Sequence, residues 1–436
     1  MHRATDGPRA RDDLLWTVAL VALAFALRAW FIWRVPLAAV WDGELYDRGA
    51  RAIGRGMGYV TFMFPRRSSD TVPTAFYPVG YPAFIGALYA VFGEHLRVLH
   101  FAGAAVSAAS VGVMHRIAFR FVPGVPARLG ALAVALMPGQ ILFAGAAMTE
   151  PLFGLLITAS VYWLVRSENE TRAVDLVFAA LFLAAATFVR PQAILLAPAL
   201  PMLRPSSVAR GWRGRVLAAA IVSVVALGSV LPWSVRNCAR LDGCAFVSTN
   251  GGANLAIGAV TGASGTFRFL SARDGCRGVV GEVHRDRCWR REAIASIRRD
   301  PVRWIALAVP KLDHTLTYES FPVGYAREAH SLAHDDVQEA RLRRWITFPW
   351  KALLVLALVA LLPIGPRSRL ADAARLSAGT IAVLLSTHVI FFGGDRYHIP
   401  LVPLFAVLAA GAFRDLALPF SWAFVKIRAR DSAPHP

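Results

Sequence analysis

Apolar runs close to the ~20 residues needed to cross a hydrocarbon core recur along this chain from end to end, and they limit its fold more than any other feature. Candidate spans are 14–33, 96–119, 128–145, 151–166, 175–190, 192–203, 216–232, 345–363, 374–393 and 398–415. The short ones imply tilt, kinks or extension at their ends. The expectation is an all-α polytopic membrane protein with about ten transmembrane helices and two long extracytoplasmic loops. The chain is 56% hydrophobic, whereas a soluble protein is nearer half apolar and broken by polar faces. The net charge of +19 could suggest nucleic acid, but the basic residues cluster in loops between apolar runs. That placement serves lipid headgroups and orientation, and no nucleic-acid motif is present. The first run, Leu14 to Trp33, follows a polar head with Arg3, Arg9 and Arg11. It is too long for a signal-peptide core and lacks a small-residue cleavage site after it, so it reads as a retained span.

The two long loops are 41–95 and 233–344. The first holds Pro65-Arg-Arg67 and ends in Tyr77-Pro-Val-Gly-Tyr-Pro82, and its last part, 79–92, suits an interfacial helix better than a span. The second holds a glycine-rich segment and an amphipathic stretch around 302–318. Arg204, Arg210, Arg213 and Arg215 share one short connection, which should face the cytoplasm. Counting spans from there puts both long loops outside, and puts Arg367, Arg369, Arg375 and a tail with Lys426, Arg428 and Arg430 inside. Arg341, Arg343 and Arg344 abut a span on the outer side, against this count. Charges of a long loop weigh less in orientation, so the ten-span reading stands, although a crossing by 302–318 would invert the last three spans. No internal repeat is visible, which disfavours an inverted-repeat transporter.

All four cysteines, Cys238, Cys244, Cys276 and Cys288, fall in one polar stretch of the second loop. Their spacings match no common zinc pattern, and clustering in one loop fits two disulfides in an oxidising compartment. Three pairings are open; the local one, 238–244 with 276–288, is preferred.

Several polar residues converge on the outer face. Asp42 and Glu44 follow the first span in Trp41-Asp-Gly-Glu-Leu-Tyr46; Glu150 opens a span; Arg190 closes one; Arg236 follows Pro232-Trp233; Arg396 and Tyr397 open the last span. Carboxylates and arginines at one membrane face suggest an anionic lipid headgroup held beside a general base. Each residue also has a structural reading. Asp42 could cap a helix, Arg190 could snorkel, Glu150 could sit in a first turn, and Arg236 and Arg396 could be interfacial anchors. It is the set on one face that favours function. His314, His330, His334 and His398 lack a metal-ligand spacing, and no metal site is expected. Asn250-Gly-Gly-Ala-Asn254 reads as a turn that could approach a sugar or phosphate through backbone amides, or could simply need positive φ. Gly54-Arg-Gly-Met-Gly58 is neither a Walker nor a Rossmann pattern.

The order of motifs resembles glycosyltransferases of the C superfamily, nearest the protein O-mannosyltransferase and lipid A aminoarabinose-transferase group. The matching segments are Asp42-x-x-x-Tyr46, Gly56 to Tyr59, Tyr77 to Pro82, Thr149-Glu-Pro, Val189-Arg-Pro, Pro232-Trp-Ser-Val-Arg-Asn237, Ser248-Thr-Asn-Gly-Gly252 and Arg396-Tyr-His-Ile-Pro400. The resemblance implies a membrane transferase that takes a sugar from a polyprenyl-phosphate donor, with Asp42 as the catalytic carboxylate and Arg190 near the donor phosphate. The chain departs in having Gly43 where many relatives carry a second acid, with Glu44 one residue later, and in having Phe76-Tyr-Pro78 in place of a Lys-Pro-Pro motif.

The reading is therefore a membrane glycosyltransferase that moves a hexosyl or pentosyl group to an acceptor hydroxyl on the extracytoplasmic face of a bacterial inner or plasma membrane, with inversion. Asp42 and Glu44 are the expected catalytic pair, Arg190, Arg236 and Arg396 the phosphate ligands, and Tyr46, Glu150, Tyr77, Tyr81, Asn250 and Tyr397 the substrate contacts. The partners are the polyprenyl-phosphate sugar, membrane lipid, and a glycan, lipid or protein acceptor, with no nucleic acid and no cofactor. Three regions follow: 1–232, the catalytic transmembrane module including loop 41–95; 233–344, the cysteine-bearing outer loop; and 345–436, the C-terminal helices and cytoplasmic tail. The alternative is a transporter or translocase of a lipid-linked or anionic substrate.

Overall fold

The computed structural model describes residues 6–61, 72–166, 172–204, 211–330, 335–362 and 371–413. Arg3, Pro65-Arg-Arg67, Arg210, His334, Arg367, Arg369 and the basic tail residues lie outside these.

The protein is helical, as the apolar runs dictate. In chain order α1 (Asp6–Arg34) leads to α2 (Asp42–Gly54), a two-residue antiparallel ladder of β1 (Val60–Thr61) and β2 (Val72–Pro73), and α3 (Gly80–Phe92). The bundle continues with α4 (Leu96–Phe121), α5 (Val125–Leu136), α6 (Pro138–Ala144), α7 (Glu150–Arg166), α8 (Ala173–Val189), α9 (Leu196–Met202) and α10 (Gly211–Arg240). The second long loop carries α11 (Gly251–Ala259), α12 (Glu282–Arg299), α13 (Pro301–Ala306), α14 (Ala308–Leu316) and α15 (Phe321–His330). Then come α16 (Asp336–Leu361), α17 (Ala371–Ile390) and the apolar stretch Asp395–Phe413. Neighbours pack in series: α1 on α4, α4 on α7, α7 on α8, α8 on α10, while α2 lies on α3 and α11 on α12.

Among the described residues six stretches are long and apolar enough to cross a membrane alone, and seven with the pair α5 and α6, bent by 52°. Helices α3, α8 and the segment Pro191–Met202 are apolar but shorter. The sequence window 128–145 runs across a backbone break at Met137-Pro138, and the windows 175–190 and 192–203 meet at another, Arg190-Pro191; at both, proline withholds a helical N–H. The segment 302–318 is two short helices, α13 and α14, and is not among the spans.

The break between α5 and α6 is covered by a residue the sequence reading passed over. Arg28, in the last two turns of α1, is completely buried. Pro138 cannot donate to the carbonyl of Val134, and the bend loosens the next one. The Arg28 guanidinium donates to both, at 3.3 Å to Val134 O and 3.1 Å to Ala135 O, and also to Ala24 O and Ser107 Oγ. A cation inside a bundle is tolerated when its donors are fully used. Arg28→Met, similar in length and without donors, should lower the thermal midpoint in detergent, at a cost of about 1–3 kcal/mol for Ala135 O left unpaired, while Val134 O keeps its bond from Met137 N at 3.4 Å. An unchanged midpoint would show that the bend needs no cap.

At the end of the bundle where α1 and α10 finish, α11 and α12 form a small folded unit with a core of Ala256, Ala259, Trp289 and Ala293. Two disulfides brace it, Cys238–Cys244 and Cys276–Cys288. Non-reduced peptide mapping of the native protein should recover these two cross-linked pairs and no free thiol. Thiol labelling without prior reduction would overturn the pairing. Helix α14 is tied to the bundle by buried Lys311, whose Nζ donates to the terminal carbonyls of α17, Val389 O at 3.0 Å and Ile390 O at 3.3 Å. Burial lowers this ammonium to about 8, so it remains charged at neutral pH.

Candidate active site

Asp42 opens α2 immediately after Trp41, the one non-glycine residue among those described with positive φ (54°). A bulky side chain in that region is strained, and such strain persists only where packing enforces it. The Trp41 ring is held edge-on by Phe321 and Tyr325, at 5.4 and 5.6 Å between centroids. Tyr325 also ties the surrounding loops: its hydroxyl accepts from Val40 N and Ala147 N and donates to Ala38 O. The result aims Asp42 into the bundle end. Position 43 has no room for a side chain, because a Cβ there would come within 2.7 Å of Tyr325 Oη and 2.8 Å of Ala147 O. The departure from a second acid at this position thus has a steric reason in this fold.

The Asp42 carboxylate is held on both oxygens. Tyr77 Oη donates to Oδ1 at 2.7 Å, and Arg396 Nη1 donates to Oδ2 at 2.8 Å. Burial alone would raise its pKa; the charge and hydrogen bond of Arg396, with Tyr77 and the more distant Arg190, override it and hold the carboxyl below its usual value. The Tyr77 phenol is pushed the other way, by burial and by Asp42, and stays a donor at neutral pH. Tyr46 stands behind, packed edge-to-face on Tyr77 and Tyr81 at 5.0 and 5.5 Å.

A second cation lies beside this carboxylate. Arg190 closes α8; its Nε and Nη2 donate to Thr149 Oγ1 at 3.1 and 3.0 Å, and Nη2 also donates to Glu150. Glu150 is fully buried, and the Arg190 side chain is 12% exposed. The guanidiniums of Arg190 and Arg396 both lie over the ring of Tyr397, 5.5 and 5.2 Å from its centroid. Gly80 lets α3 approach here, since a Cβ would meet the Phe188–Val189 backbone at 2.6–2.8 Å, one residue before Arg190. Beside that contact an apolar groove of about 630 Å³ runs between α3, α7, α8 and α10, lined by Phe84, Leu152, Phe188 and Trp233 among others.

Of the residues singled out in the sequence, Asp42, Tyr46, Tyr77, Tyr81, Glu150, Arg190, Arg396 and Tyr397 come together here. Three do not. Glu44 is half exposed on the outer side of α2, in an i,i+4 ion pair with Arg48, because a helix turns it well away from Asp42. Arg236 is spent on Thr74 O, Tyr59 O and Asn237, holding the first long loop to α10. Asn250 precedes α11 and accepts from Ser248 Oγ, so the expected turn at 250–254 is the start of a helix. His398 is buried against Glu319 (Nε2 to Oε1, 3.2 Å) and Thr315 O (2.6 Å), stacked on Trp350. Among the described residues no three His, Cys, Asp or Glu side chains are grouped to hold a metal ion. Sequence reasoning missed Tyr325 and Thr149 as shapers of the site. Thr149 was in view within Met148-Thr-Glu, but Tyr325 lies on α15, where no sequence pattern marked it.

The fold is shared with a solved archaeal oligosaccharyltransferase, a protein of the class that the ordered motifs resemble. The apo oligosaccharyltransferase of Archaeoglobus fulgidus superposes with a TM-score of 0.58 at 13% identity, over 99% of this chain and 53% of that one. The same archaeal enzyme, AglB, in complex with an inhibitory peptide and a dolichol-phosphate, matches at 0.50 and 13%, over 97% and 52%. ArnT of Cupriavidus metallidurans bound to undecaprenyl phosphate matches at 0.41 and 15%, over 99% and 82%. The chain therefore spans about half the length of the archaeal enzyme. No family model and no curated protein matches the sequence.

Proposed function

We propose that this protein is a membrane glycosyltransferase that takes a sugar from a polyprenyl-phosphate donor and places it on an acceptor hydroxyl at the extracytoplasmic face. The observation that carries the reading is the Asp42 carboxylate facing Arg396, with Arg190 sharing the Tyr397 ring beside it. One anionic base and two cations at one bundle end are what an alcohol attacking a phosphate-linked anomeric carbon requires. The apolar groove beside Arg190 offers a path for a lipid chain, and an archaeal protein of the same fold binds a dolichol-phosphate.

In this reading the donor phosphate draws Arg396 off Asp42 and lies between Arg396 and Arg190. Asp42, freed of its main counter-charge, becomes a better base. It takes the acceptor proton as the acceptor oxygen bonds to the anomeric carbon. The bond from that carbon to the phosphate oxygen breaks, and polyprenyl phosphate leaves with the electron pair, held by the guanidiniums. A single in-line displacement inverts the anomeric centre. Residues 1–232 supply Asp42, Glu150 and Arg190; 233–344 supply Tyr325; 345–436 supply Arg396 and Tyr397.

The test is incubation of the purified protein with labelled polyprenyl-phosphate sugars and an acceptor-bearing membrane extract, reading release of free polyprenyl phosphate; no release from any donor overturns the reading. The free protein keeps Asp42 ionised through the neutral range, since its carboxyl lies below the usual carboxylate value. The acid limb of kcat/KM should accordingly fall below about pH 5. A limb centred between about pH 5 and 7 would mean that the base is some other group.

A further inference from the structure

A second cavity, of about 390 Å³, lies where β2 meets the end of α10 and the start of α12, and the transfer chemistry above does not use it. Its walls come from both long loops. Phe76 and Trp289 supply aromatic surface, while Glu282, Asp286 and Arg240 supply charge. Its size falls in the ~300–1,000 Å³ range of small-molecule sites. It adjoins the candidate active site through one pair of rings. Phe76 packs edge-on against Tyr77 at 4.9 Å, and Tyr77 donates to Asp42.

The polar groups are arranged for a ligand rich in hydroxyls. Glu282 Oε1 accepts from Thr74 Oγ1, Ala75 N and Thr249 Oγ1, which clasps the two loops together. Its Oε2 takes no part in that clasp. Asp286 Oδ1 accepts from Gly252 N. Burial pushes both carboxyls above their usual values, so each gains from a donor brought by a ligand. Asp242 lines the same wall, and three carboxyls against the two guanidiniums of Arg240 and Arg285 give a lining that disfavours an anion. A sugar fits instead: its hydroxyls donate to carboxylates and accept from a guanidinium, and its C–H face covers an aromatic ring.

We infer that this cavity is the acceptor subsite and that the acceptor is a glycan, bound by Glu282, Asp286 and Arg240 between Phe76 and Trp289, with its reacting hydroxyl carried past Phe76 toward Asp42. The inference rests on the transferase reading and names its acceptor class.

The experiment uses the purified full-length chain in detergent. Saturation-transfer NMR is recorded with maltose, trehalose and methyl arabinofuranoside, and retention of a labelled polyprenyl-phosphate sugar is measured on the same samples. At least one sugar should show ring-proton transfer in the wild type and in Asp42→Asn. Val280→Trp, which places a large ring at a rim position now 70% exposed, should weaken that transfer at least fivefold while donor retention is unchanged. Arg240→Ala, at an exposed position, should also weaken it and serves if the tryptophan variant loses donor retention through misfolding. No sugar signal, or a signal that neither variant changes, overturns the subsite while donor retention leaves the transferase reading standing. A Val280-sensitive signal from a serine-rich peptide in place of the sugars overturns the glycan class. Loss of donor retention in the wild type is the separate failure of the transferase reading itself.

Discussion

Asp42→Asn should lower the proposed sugar transfer by about 10²–10⁴-fold, the usual cost of losing a general base, while the purified protein stays folded. The change keeps shape and removes basicity. It also frees Arg396, whose guanidinium donates to Asp42 in the resting protein. Donor binding should then be retained or tightened as turnover falls. That split between binding and turnover is what a purely structural ion pair would not give, since loss of such a pair weakens both together. The competing assignment is Glu44. Near-normal turnover in Asp42→Asn, with Glu44→Gln inactive, would move the base there. The exposed Glu44–Arg48 pair on the outer side of α2 speaks for the opposite result, an active Glu44→Gln.

Arg190 carries the second large effect, and its test needs more care. Removing one group that stabilises developing negative charge typically costs about 10²–10³-fold in kcat. Arg190→Ala alone would also strand fully buried Glu150, and breaking a buried pair from one side costs about 3–5 kcal/mol of stability. The informative variants are Arg190→Lys, which keeps the charge without the planar fork, and Arg190→Ala combined with Glu150→Gln, which removes both charges. Transfer per folded molecule should fall in the order wild type, Arg190→Lys, double variant, and labelled-donor retention should fall with it. Normal donor retention in a well-folded double variant would take Arg190 out of the site and leave the phosphate to Arg396.

The contrast between Asp42 and Glu44 shows where sequence reading stops. Two carboxylates at i and i+2 are equivalent on paper. In the fold a helical turn sends them to different sides, and the strained Trp41 backbone, braced by Tyr325 and Phe321, chooses which one points inward. The same holds for the arginines. Arg190, Arg236 and Arg396 all follow or open apolar runs beside aromatic residues, yet Arg236 is consumed by loop carbonyls and only the other two share Tyr397. Arg28 left no mark, because one cation in a long apolar run does not change the run's character and its partners come from a helix more than a hundred residues away.

What the sequence determined by itself was local. Runs of apolar residues, their length and their proline breaks set the helices and the membrane class, because backbone hydrogen bonding in lipid leaves such runs little else to do. Cysteines six and twelve residues apart reach each other within one folded loop. The ordered motifs pointed to a class of enzymes, and the chain shares its fold with a solved archaeal oligosaccharyltransferase of that class. The tertiary structure decided everything that depends on partners distant in sequence. Asp42 meets Arg396 across 354 residues and Tyr77 across 35; Arg190 meets Thr149 across 41. A charged side chain's role is set by which opposite charge desolvates with it, and that is a property of packing rather than of the residues on either side.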